Sequence, residues 1–131
     1  MSDEYRAGEC NIGEEEVKYR KRVAGYGSAL VAVALYTMLV FFDVPIVMYL
    51  LLLVPVFISV HGFNESRHGF CTSYARTGRY NMNNEVGMTL DVISQDKRDK
   101  DRKYAKKLIF DSVKLSVLIT AVLIGLSRII N

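Results

Sequence analysis

A chain of 131 residues makes one folding unit. Half of it is hydrophobic, and the apolar residues fall in unbroken blocks, not in the periodic patterns of a water-soluble core. The net charge of +3 is too small, and its bases too interleaved with acids, to mark a nucleic-acid partner.

Residues 1–11 show no periodicity and read as a flexible N-terminus. Asn11 then offers an N-cap, and Glu14 three residues later completes a capping-box pattern. Glu14, Glu15 and Glu16 fall in the first turn, where the helix dipole favours negative charge. Glu14 with Lys18, and Glu16 with Arg20, have the i,i+4 spacing that supports an exposed helix. One helix is predicted over about 12–42. Its uncharged part, 23–42, is long enough to cross a hydrocarbon layer of about 30 Å. Arg20, Lys21 and Arg22 then fall at the lipid headgroups. The polar start is unlike a cleavable signal, so the first span is expected to act as its own insertion signal. Ala24, Ser28 and Ala32 recur every fourth residue, a stripe of small side chains that lets a second helix approach closely.

Asp43 alone separates this stretch from a second one, 44–60, so the two spans form a tight hairpin. Pro45 suits the start of the returning helix, and Pro55 is expected to bend it. Tyr36, Phe41, Phe42 and Tyr49 gather toward the turn as an aromatic belt. The segment 61–93 mixes Phe63, Phe70, Tyr74 and Tyr80 with Arg67, Arg76 and Arg79. It is too aromatic for a free linker and reads as a layer on the membrane interface, with guanidinium groups on phosphates.

From residue 94 the pattern is helical again. Asp96 with Lys100, and Asp99 with Lys103, are acid-before-base pairs. The stretch 94–107 has no apolar stripe and reads as a solvated helix. It runs without a breaker into a third apolar segment, 108–130. There Ser112, Ser116 and Thr120 make a second packing stripe. Five Lys and Arg residues lie in 1–22, ten in 61–107 and none beside Asp43. The positive-inside rule therefore puts the N-terminus and both basic segments in the cytoplasm, and the turn and C-terminus outside the cell membrane. The expected fold is an all-α membrane protein: one membrane domain over 12–131, an N-terminal helical hairpin, and a long C-terminal helix reaching into the cytoplasm.

Two constellations bear on chemistry. Cys10, Cys71, His61 and His68 all fall on the cytoplasmic side, and His68 stands three residues before Cys71, a spacing that can put two ligands on one zinc, copper or iron ion. Neither cysteine sits in a CxxC, so solitary residues outweigh a metal site, and the sequence requires no cofactor. Cys10 precedes a helix N-terminus, which lowers a thiol pKa, but three glutamates oppose that. The second constellation, Asp43, Asp111, Lys114 and Arg128, lies at span ends. Snorkelling explains it more simply than an ion pathway. No phosphate-cradling loop, HExxH or GxSxG occurs.

The segments CNIGEEEVKYRKRVAGY and FNESRHGFCTSYARTGRYN carry a further pattern. It comprises Cys10, Gly13, Glu16, Arg20, Arg22 and Gly25 before the first span, then Arg67, Phe70, Cys71, Gly78 and Asn81 after the second. It resembles an uncharacterised family of small multi-pass membrane proteins, with Cys-x-x-Gly-x-x-Glu ahead of the first span and Phe-Cys…Gly-x-x-Asn behind the second. The resemblance brings no activity; it implies that Cys10 and Cys71 belong to one surface.

The function expected from these features is that of a non-enzymatic accessory or structural subunit in a larger membrane assembly. Its partners would be membrane lipids and other integral membrane subunits or further copies of itself. The alternative is a thiol-redox or metal-handling membrane protein using Cys10 and Cys71; a self-associating three-helix channel or transporter is a third reading. The aromatic rings around Cys71 need an apolar helix surface. Residues 61–81 are therefore expected to fold back over the hairpin end and bring the two cysteines within about 7 Å, Cα to Cα.

Overall fold

The structure, a computed structural model, describes residues 4–41 and 44–130. The expected turn residue Asp43 and the belt residue Phe42 lie outside them. The chain is 74% helical with almost no sheet. Three of its helices are long and apolar enough to cross a membrane, as an all-α multi-pass membrane protein requires. They are α1 (Glu14–Phe41), the second span Ile46–His68, and the long C-terminal α5 (Gln95–Ile130).

Helix α1 starts at Gly13, whose carbonyl accepts the first helical bond from Val17 N at 3.0 Å. Asn11 does not cap it. Its side chain is fully buried and pairs with the backbone of Cys71 on both edges, accepting from Cys71 N at 2.6 Å and donating to Cys71 O at 2.9 Å.

The second span is α2 (Ile46–Tyr49), a 3-10 turn (Leu50–Leu52) and α3 (Leu53–His68). The tightened turn lies just ahead of Pro55, which has no N–H to give to the carbonyl one turn back and whose ring crowds it. The helix does not stop near residue 60. It runs on to His68 and ends at Gly69 in the left-handed conformation (φ 61°). The polar residues His61, Asn64 and Glu65 therefore sit on a rigid helix, not in an interfacial layer.

Helix α3 is the middle element, packed on α1 at one side and α5 at the other. Of the apolar window of each span, 28% is buried in the second against 11% and 17% in the first and last, as that placement demands. Close approach of α1 depends on Gly27, where a Cβ would stand 2.9 Å from Ser59 N, and on Gly62, whose Cβ would stand 3.3 Å from Ala24 N. The expected stripe is thus only partly right. Ala24 is buried, Ser28 is exposed but meets the Ser59 hydroxyl, and Ala32 is exposed. Gly27, one residue before Ser28, makes the close backbone contact instead. On α5 the expected Ser112, Ser116 and Thr120 are all buried, in line with Asp101, Ala105, Leu108 and Ser127.

The segment after α3 is a built head. Helix α4 (Thr72–Thr77) lies on α5 and ends at Gly78 (φ 70°). The strands β1 (Arg79–Tyr80) and β2 (Leu90–Asp91) pair antiparallel. Two small cores hold it: Phe70, Ala75, Ala105 and Leu108 in one, and Ile12, Val17 and Cys71 in the other. The helical stretch 94–107 is consequently docked, not free in solvent.

Of the stretch 1–11, expected to be flexible, the described residues 4–11 are tied down. Tyr5 Oη donates to Asp101 Oδ2 at 2.6 Å and Gly8 N donates to Asp101 Oδ1 at 2.8 Å. Tyr5 also stacks on Tyr80, centroids 4.6 Å apart. No sequence periodicity advertises this, because a buried aspartate shared by two distant donors leaves no local pattern.

Candidate functional site: a buried charge cluster at the head of the hairpin

Three elements converge where α1 leaves the head. Helix α1 contributes Glu16 and Arg20, one turn apart. Helix α3 contributes His61 and Glu65, also one turn apart. The start of α4 contributes Cys71, Thr72 and Tyr74. They line an open pocket of about 490 Å³ with Tyr19, Ser73 and Val86.

Arg20 is the hub. Its Nη2 donates to Cys71 Sγ at 3.0 Å and lies 3.4 Å from Glu16 Oε2, while its Nε lies 3.3 Å from Glu65 Oε2. The two carboxylate approaches are close enough for ion pairs but are not aligned as hydrogen bonds, since Glu16 Oε2 and Arg20 Nε have no bonding partner. The other oxygen of each glutamate is fully used. Glu16 Oε1 accepts from Tyr74 Oη (2.8 Å), Asn81 Nδ2 (2.9 Å) and Gly87 N (2.8 Å). Glu65 Oε1 accepts from Thr72 N and Oγ1, both at 2.9 Å, and lies 3.4 Å from His61 Nε2. His61 Nδ1 meets Ser112 Oγ at 3.1 Å, and Asn64 Nδ2 donates to the same hydroxyl at 3.0 Å. The network thus runs from α1 through α3 to α5.

Burial is the largest influence on the Cys71 thiol, and with the charge of Glu65 it pushes the thiol up. Arg20 pulls the other way without reversing the shift. The Cys10 thiol is also pushed up, chiefly by burial, which overrides any help from the helix start. Tyr74 is pushed up to about 12 by burial and by the hydrogen bond it donates to Glu16. Both thiols are therefore neutral at pH 7, and Tyr74 stays a donor.

Some expected site residues come together and others do not. Of the expected fold-back 61–81, residues 61–68 continue α3, and it is 69–81 that cover the start of α1, through Asn11 N to Gly69 O (3.1 Å) and Gly13 N to Asn81 O (2.8 Å). Both cysteines are buried there, but as free thiols with different partners. Cys10 Sγ bonds to Ile12 O at 3.5 Å, and Cys71 faces Arg20. His68 instead meets the Tyr104 ring edge-on at 6.3 Å. Cys10, Cys71 and His68 do not form a ligand set; among the described residues no group of three His, Cys, Asp or Glu side chains is placed to hold a metal ion. Arg20, expected at the headgroups, is turned inward, with only 16% of its side chain exposed. Lys21, Arg22, Arg67 and Arg76 are exposed, as an interfacial role requires, and Arg79 pairs with Asp91 at 3.6 Å. Glu65 and Thr72 escaped the sequence reading, and His61, read there as a possible metal ligand, instead joins the hydrogen-bond network. The missed signal was the i,i+4 pair His61 and Glu65 directly after an apolar stretch.

Together, three apolar helices and a polar head locked by buried ion pairs define a small multi-pass membrane protein with an ordered extramembrane head. Comparison with protein-family models, with curated proteins and with solved structures finds no match to this chain.

Proposed function

We propose that this protein is a non-enzymatic building block of a larger membrane assembly, joining further copies of itself or other membrane-spanning chains through its outer helices. The observation that carries this reading is the open row of spans. Helix α3 packs on both α1 and α5; every span keeps most of its apolar window uncovered, and α1 and α5 keep more than the second span does. The head supports it too. The charged groups of its buried cluster, Glu16, Arg20 and Glu65, are spent on one another, which ties the first two spans together and leaves, among the described residues of that cluster, no unpaired nucleophile and base in reach of a substrate. The buried, neutral Cys71 argues against the thiol-redox alternative, and the scattered partners of Cys10, Cys71 and His68 argue against metal handling. In this reading the head and N-terminus face the cytoplasm and the C-terminus lies outside, as the Lys and Arg distribution favours.

Native mass spectrometry of the chain released in a mild detergent tests the assembly. The expected species is a multiple of the 14.8 kDa chain or a complex with other membrane subunits. A lone chain at every detergent concentration would overturn the proposal. An impermeant maleimide on Val44→Cys and Ile130→Cys tests the orientation; labelling of either from the cytoplasmic side alone would reverse it.

A further inference from the structure

Arg76 of α4 and Arg102 and Lys106 of α5 converge on a groove of about 480 Å³ whose floor is Ile109, Phe110 and Val113. All three cations are exposed, and none has a hydrogen-bond or ion-pair partner among the described residues. Other cations do meet a carboxylate, among them Lys18, Arg20, Arg79, Lys100 and Lys114. The acids nearest the groove in sequence are engaged outside it. Asp101 accepts from Tyr5 Oη and Gly8 N, Asp99 accepts from Gln95 at 3.0 Å, and Asp111 lies 3.9 Å from Lys114. Among the described residues no carboxylate lines the groove.

Val113 also lines a second furrow of about 330 Å³, between α3 and α5, where it meets Val54, Phe57 and Ile58. The two hollows are consecutive. A cationic mouth opens onto an apolar floor, and the floor continues along α5 into the spanning region. From Arg102 to Val113 the helix rises about 16 Å, enough to pass from the headgroup layer into hydrocarbon.

We propose that this is a binding site for one anionic phospholipid. Its phosphate lies among Arg76, Arg102 and Lys106, and an acyl chain follows Ile109, Phe110 and Val113 into the furrow against Phe57. Charge complementarity selects an anionic headgroup, because three uncompensated cations face one opening. The apolar floor selects a lipid over a soluble phosphate, which would gain nothing from it. Arg76 comes from a different helix than Arg102 and Lys106, so the site exists only when α4 is docked. That separates it from interfacial cations such as Lys21 and Arg22, which attract anionic lipid without a groove.

The test is native mass spectrometry of the intact chain in mild detergent, with phosphatidylglycerol or phosphatidylcholine added. One phosphatidylglycerol is expected to remain bound at collision energies that strip phosphatidylcholine. Each surface cation contributes about a factor of five, so Arg102→Ala with Lys106→Ala should weaken retention about twenty-five-fold. Val113→Trp, which keeps every charge, should weaken it by blocking the chain path. Lys21→Ala with Arg22→Ala, which removes as much charge from another surface, should leave it unchanged. Retention that survives either groove variant, or falls equally in the Lys21 and Arg22 variant, would overturn the proposal. So would displacement by glycerol phosphate, which has the headgroup chemistry without the chains.

Discussion

Arg20 on the first helix and Glu65 on the second lie 3.3 Å apart, with their side chains 16% and 9% exposed. They join the two arms of the hairpin just outside its apolar part. The pair does not stand alone, since Arg20 also neutralises Glu16 and meets Cys71. A shielded cation between two shielded carboxylates is costly to break, because the loss of Arg20 leaves both acids uncompensated. Arg20→Ala is expected to destabilise the protein by about 3 kcal/mol, and Arg20→Lys to recover little, because an ammonium cannot fork to three partners. Thermal unfolding in detergent measures both. A loss under 1 kcal/mol for Arg20→Ala would show that the cluster is not the clamp.

Gly27 is a stricter position than the small residues around it. A Cβ there meets the backbone of Ser59, which cannot move aside as a flexible side chain would. Gly27→Leu should separate α1 from α3 and cost at least the 1–3 kcal/mol typical of overpacking. Ala32→Leu, at an exposed site, should cost about 0.5 kcal/mol or less. Equal tolerance of the two, in the same unfolding assay, would mean that the helices slide past one another without strain.

Asp101 holds the N-terminal arm to α5 through Tyr5 and Gly8. Asp101→Ala leaves two donors without their acceptor and removes a buried charge, at a cost of about 1–3 kcal/mol. The effect should be local: amide exchange in residues 5–10 should rise, while the exchange of α3 stays the same. Uniformly faster exchange would instead make the arm part of one cooperative unit with the spans.

Cys71 should resist modification in the folded protein. Its thiol is buried and pushed up, so iodoacetamide at pH 7 should label it at least tenfold more slowly than in denatured chain. Because the folded value lies above the unfolded one, the neutral thiol's contribution to stability is complete below the ordinary thiol range. It fades as pH rises through the folded value. Labelling should accelerate over the same alkaline window. Fast labelling at pH 7 would reopen the thiol-redox reading.

The three spans, their order and the unbroken α5 were legible in the residues because each depends on local composition. A run of apolar residues long enough to cross a bilayer has few other stable states, and no breaker stands between Ser94 and Gly125. The stripe Ser112, Ser116 and Thr120 was legible for the same reason. What tertiary structure decided is everything that joins distant segments. Asn11 looked like a cap and became a partner of Cys71, sixty residues on. Arg20 looked like a headgroup anchor and turned inward, because Glu65 on the returning helix presents a second carboxylate that no spacing on α1 reveals. Asp101 looked like one charge among many on a solvated helix, and two donors from the N-terminus buried it. Local pattern reports which face of an element is apolar. It cannot report which charge will find its counterpart across the fold, and in this protein those pairings make the head.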